Sequence, residues 1–80
     1  MKKMVFGAHA VKRVVERHLP IDAVWQIATV GTVVQTSGLR KVKQGEFDGR
    51  RIRVVVEQPN VIVTAYAERD MQATIKHAVR

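Results

Sequence analysis

Eighty residues leave room for one hydrophobic core, so the chain reads as a single domain over residues 1–80. Hydrophobic residues at 46% exclude a disordered chain, the lack of cysteine excludes disulfides and thiolate metal sites, and no apolar run approaches the roughly 20 residues that span a bilayer. Fourteen Lys and Arg against seven Asp and Glu leave a net charge of +7, with a pI near 10.6, which points to nucleic acid or an acidic protein as partner.

Met1-Lys2-Lys3 is basic, but no apolar stretch of signal-peptide type follows, so the expected location is the cytoplasm. Aromatic residues are scarce (Phe6, Trp25, Phe47 and Tyr66), which leaves a core built mostly of Val, Ile and Ala.

Residues 4–6 read as a short edge strand. Gly7 suits an N-cap, and a first helix runs from there to about His18. At about 100° per residue, Ala10, Val11, Val14, Val15 and His18 fall on one half of the wheel. His9, Lys12, Arg13, Glu16 and Arg17 fall on the other, solvent-facing half. His18 is expected to be partly buried and bonded to a backbone carbonyl. Pro20 breaks this helix and pre-sets the start of a second.

Residues 21–29 read as that second helix. Ile21, Val24, Trp25 and Ala28 form one apolar stripe, with Trp25 in the core and Asp22 at the positive end of the dipole. Gly31 fits the C′ position that ends the helix. The chain then turns β-branched. Strands are expected over residues 32–36, 39–46, Arg50–Glu57 and Val61–Ala67, with turns at Ser37-Gly38, Asp48-Gly49 and Gln58-Pro59-Asn60.

Register decides where the cations point. A two-residue loop at Asp48-Gly49 puts Lys41 and Lys43 on the face of Ile52, Val54 and Val56. A three-residue loop with Gly49 left-handed and a bulge shifts the pairing by one. Val42 then joins that apolar face, and Lys41, Lys43, Arg51 and Arg53 line up on the opposite one. The second register is expected, because burying two unpaired lysines is costly. Residues 68–80 carry Met71, Ile75, Ala78 and Val79 at helical spacing and read as a C-terminal amphipathic helix. The expected fold is therefore α+β: two N-terminal helices on a four-stranded antiparallel meander, plus a C-terminal helix.

Two constellations carry chemistry. On the first helix, Arg13 and Arg17 suit a phosphate clamp, because a planar guanidinium binds phosphate bidentately. His9 suits a proton donor or acceptor at neutral pH. The competing reading is a solvated face in which both arginines pair with Glu16 or Asp22. On the sheet, Lys41, Lys43, Arg51 and Arg53, beside Arg40 and Arg50, form a basic patch that binds nucleic acid through its phosphates, where the alternative is charge placed to protect strand edges. Tyr66 either stacks on a base or caps the core edge, with Arg69 close behind it in sequence. His9, His18 and His77 share no metal-ligand spacing, and no Gly-rich phosphate loop, nucleophile elbow or zinc motif is present, so neither a metal nor a cofactor is expected.

The run Phe6-Gly7-Ala8-His9-Ala10-Val11-Lys12-Arg13, followed by Glu16-Arg17, resembles a small bacterial family of unassigned function whose members open with HA-x-x-R-x-x-E-R. Gly49-Arg50-Arg51-Ile52-Arg53-Val54-Val55-Val56 resembles that family's glycine-arginine strand, and residues 61–66 resemble its last strand, so the likeness covers residues 4–67. His18 and Pro20 depart from it, standing where relatives commonly show glycine and a serine or similar cap. The family is similar to RelE, ParE and BrnT toxins and to colicin-type ribonuclease domains. That likeness implies helices packed on one face of an antiparallel sheet and metal-independent RNA cleavage on the other. His9, Arg13, Glu16 and Arg17 match the motif; Gly49, Arg50 and Tyr66 match less specifically.

The reading is thus a toxin-like RNA-binding domain with metal-independent ribonuclease activity. His9, Arg13 and Tyr66 are its candidate catalytic residues. Arg13, Arg17, Lys41, Lys43, Arg51, Arg53 and Arg69 are its candidate RNA contacts. The rivals are a non-catalytic nucleic-acid binder and an interaction module that docks an acidic, antitoxin-like protein.

Overall fold

Ile52, Val54 and Val56 alternate with Arg51, Arg53, Val55 and Glu57, and this period of two commits the stretch to a strand with one buried face. In the computed structural model, which describes residues 3–67, that strand is the middle of the sheet. The elements are β1 (Val5–Phe6), α1 (Ala10–Glu16), α2 (Ile21–Val30), β2 (Thr32–Ser37), β3 (Arg40–Phe47), β4 (Arg50–Glu57) and β5 (Val61–Ala67). The strand order is β1-β5-β4-β3-β2.

The sheet is five-stranded and mixed, which corrects the expected four-stranded antiparallel meander. β2 to β5 do form consecutive antiparallel pairs, but β1 adds a fifth strand parallel to β5. Its backbone groups are matched to that edge: Val5 N–H donates to Asn60 O and Gly7 N–H to Ile62 O, both at 2.8 Å. A two-residue strand carries no periodicity of its own, and only the partner's free edge makes it one. The C-terminal helix expected over residues 68–80 lies outside the described residues, as do Arg69 and His77.

Both helices cover the same sheet face. Ala10 and Val14 from α1, and Ala23, Val24, Ile27 and Ala28 from α2, are buried against Ile52, Val54, Val56, Ile62, Ala65 and Ala67. Each Val or Ile so buried contributes about 1.5–3 kcal/mol relative to exposure. Each helix turns only one side to the sheet, and its other apolar residues stay outside the core. Val11, Val15, Ile21 and Trp25 remain between 43% and 59% exposed, contrary to the expected core faces. The buried stripe of α2 is rotated by roughly 80° from the expected one, counting 100° per residue. Trp25 instead lies against the N-terminal segment, its indole Nε1 donating to Met4 O at 3.3 Å. β2 lies beyond the helices, and all six of its residues are exposed.

The first helix is also shorter than expected. His9, not Gly7, is its N-cap. It ends in a Schellman arrangement, with His18 N–H donating to Val15 O and Leu19 N–H to Val14 O. His18 occupies the C′ position at φ 54° and is exposed rather than half-buried. A left-handed residue other than glycine costs about 1–2 kcal/mol. His18→Gly is therefore expected to raise stability by about 1 kcal/mol, seen as a melting temperature about 4–8 °C higher.

The hairpin register is the rejected one. Phe47 pairs with Arg50 across a two-residue loop, with Asp48 at φ 52° and Gly49 at φ 76°, a type I′ turn. Lys41 and Lys43 consequently share the helix-side face with Val56 and Val54. The feared penalty is avoided because Lys43 is not unpaired. Its Nζ donates to Ala28 O at 2.8 Å, satisfying one of the orphan carbonyls at the negative end of α2. Lys41 lies past the helices and stays half-exposed. No helix among the described residues is long and apolar enough to cross a membrane.

Candidate nucleic-acid interface

β1 pairs with β5 only at Val61 and Ile62, which leaves the rest of that edge for α1 to lie along. Arg17 fastens the two together. Its guanidinium donates to Ala65 O at 2.7 Å and to Thr64 Oγ1 at 3.1 Å. Arg17 thus pairs with neither Glu16 nor Asp22; it is a strut between helix and strand more than a free clamp. Arg17→Met removes both bonds while keeping the stem. It is expected to cost about 1–3 kcal/mol, read as a lower urea midpoint at unchanged m.

A cleft of about 470 Å³ opens where α1 meets the rim of the sheet. Gly7, Ala8, His9, Arg13 and Arg17 form one wall; Val61, Val63, Thr64 and Tyr66 form the floor. The floor runs roughly 16 Å, at about 3.3 Å per strand residue. His9 caps α1 through its backbone without a side-chain capping bond, and both His9 and Arg13 are exposed. The three residues read as catalytic, His9, Arg13 and Tyr66, therefore line a single cleft, although they come from opposite ends of the chain.

The four cations expected to share one sheet face do not. Arg51 and Arg53 lie on the face away from the helices, Lys41 and Lys43 on the face towards them, because the register places them so. Arg53 lies directly across β4–β5 from Tyr66, so the uncovered face and the cleft are continuous at that point. Arg69 lies outside the described residues.

Glu57 went unsuspected in the sequence, and Arg40 was read as a neighbour of the basic sheet patch and not as part of this cleft. Arg40 and Glu57 line the side opposite α1 and face each other across β3–β4, with Arg40 Nε 3.5 Å from Glu57 Oε1. An ion pair this exposed contributes about 0–1 kcal/mol, so its interest is chemical: a carboxylate and a guanidinium beside the imidazole wall. The signal for them was present. A two-residue Asp48-Gly49 loop sets Arg40 opposite Glu57, Gln44 opposite Arg53 and Glu46 opposite Arg51, three complementary polar pairs that favour this register. Among the described residues no group of three or more His, Cys, Asp or Glu side chains stands together as a metal site would require. No family model, curated protein or solved structure matches the chain.

Proposed function

We propose that the protein binds single-stranded RNA across the uncovered sheet face and cleaves it in the α1–β5 cleft without a metal ion. The observation that carries this reading is one cleft lined by His9, Arg13 and Tyr66 on a chain of net charge +7. The resemblance of the α1 segment to the HA-x-x-R-x-x-E-R family, and through it to RelE-type toxins and colicin-type ribonucleases, agrees with it. Likeness of fold alone carries no activity, so the argument rests on the site.

Metal-free RNA cleavage needs three things of a protein. Something must take the proton of the 2′-hydroxyl as its oxygen attacks the adjacent phosphorus. Something must protonate the departing 5′-oxygen. Cations must offset the charge on the phosphoryl oxygens in between. His9 and Glu57 are the groups of the cleft suited to the two proton transfers. Arg13 is the charge partner for the phosphate, and Tyr66 holds a flanking base or hydrogen-bonds the phosphate. The products would be a 2′,3′-cyclic phosphate and a 5′-hydroxyl.

The test is incubation of the purified protein with end-labelled single-stranded RNA in EDTA, with affinity measured against salt. Cleavage to cyclic-phosphate ends is expected, with log affinity falling against log salt at a slope of about −2 for three neutralised phosphates. Salt-dependent affinity without cleavage removes the nuclease and leaves a binder. Absence of both, with an acidic protein co-purifying instead, overturns the reading.

A further inference from the structure

If the site binds RNA as proposed, the residues beside the cleft bear on which base it selects. Gln44, Arg53 and Tyr66 are consecutive neighbours across β3, β4 and β5, all on the face turned away from α1 and α2. Strands lie about 4.8 Å apart, so the three side chains form a short polar row leading into the cleft. Arg53 Nε donates to Gln44 Oε1 at 3.1 Å. That bond orients the guanidinium and spends its side-on donor. The two terminal nitrogens remain, and among the described residues they make no hydrogen bond. They make an end-on fork, held one strand away from the Tyr66 ring.

We infer that this row is a base-recognition subsite for an unpaired guanine. A base stacked on Tyr66 presents its edge towards the Arg53 fork. An end-on fork needs two acceptors side by side, which guanine supplies with O6 and N7; adenine offers an acceptor beside a donor there and uracil lacks the pair. Cytosine, when unpaired, also carries adjacent acceptors, but a single ring stacked on Tyr66 reaches less far than a purine. The base must be unpaired, because the A-form major groove is too narrow to admit the fork and stacking requires a splayed base. The subsite adjoins the cleft through Tyr66 itself, so the selected guanine flanks the phosphate held at Arg13.

The test uses the full chain and fluorescent 2′-O-methyl pentamers, which lack the attacking hydroxyl: four uridines around a central G, A, C, U, inosine or 7-deazaguanine. The guanine and inosine pentamers are expected to bind about tenfold tighter than the uridine one. The 7-deazaguanine pentamer, which lacks N7, should lose most of that gain. Arg53→Lys keeps the charge but not the fork, and should level the six pentamers. Equal binding of all six by the wild type, or a preference for cytosine, overturns the guanine subsite and leaves the RNA-binding reading standing. Failure of every pentamer to bind overturns both. The 7-deazaguanine comparison needs no variant, so a misfolded Arg53→Lys protein does not rescue the inference.

Discussion

Replacing His9 with alanine is expected to lower RNA cleavage by about 10²–10⁴-fold, the usual contribution of a positioned proton-transfer group. RNA affinity and melting temperature should hold. The reason for the split is where His9 stands. It begins α1 with backbone contacts alone, makes no side-chain capping bond and is exposed, so removing its ring disturbs neither packing nor charge pairing. Single-turnover cleavage in EDTA, alongside binding of an uncleavable strand and a thermal melt, separates the effects. An alanine variant that cleaves like the wild type removes His9 from the reaction. A variant that melts early would instead give the ring a structural duty.

Gly31→Ala should be the most damaging single-methyl change described for this fold. Gly31 closes α2 with its N–H on Ile27 O at 2.8 Å, in an extended conformation at φ −68° that any residue adopts. The left-handed geometry expected of a C′ glycine is absent, so the demand is spatial. A Cβ there would sit 2.4 Å from Ile27 O and 3.1 Å from Gln44 O. Both are backbone oxygens, one on the helix and one on the sheet, and neither can swing aside. Relief requires α2 to lift from β3, at a cost of about 1–3 kcal/mol. A domain of this size holds only about 5–10 kcal/mol in all, so a melting temperature roughly 10 °C lower is expected. A rise instead, the ordinary benefit of Gly→Ala in extended backbone, would show that the close approach does not exist.

What could be read from the sequence was what local pattern determines. The bounds of β4 and β5 and the positions of the turns followed from alternation and turn residues, and the two helices from their spacing. What escaped depends on distant surfaces meeting. The hairpin register was misjudged because the burial penalty of Lys43 was weighed without the Ala28 carbonyl, fifteen residues away, that removes it. The short edge strand at residues 4–6 was expected, but its parallel pairing with β5 depends on an edge assembled some fifty residues later. The exposure of Val11, Val15 and Trp25 reflects how each helix is rotated against the sheet, which no wheel contains. The site divides the same way. His9 and Arg13 stood out by spacing on one helix, and Tyr66 by its place at a strand end, whereas Arg40 and Glu57 enter only once the register is known. His18 occupies the helix-ending C′ position, at which glycine is preferred.

The pairing of the first strand with the last has a consequence for synthesis. A chain emerging from the ribosome displays its imidazole and helix arginine early, but the strand that gives them a floor is made some fifty residues later, and contacts between such distant segments form late. Incomplete or prematurely terminated chains would therefore carry the positive charge of the helix without an assembled reaction centre. The proposed RNA cleavage would thus have to wait until translation of β5 is finished.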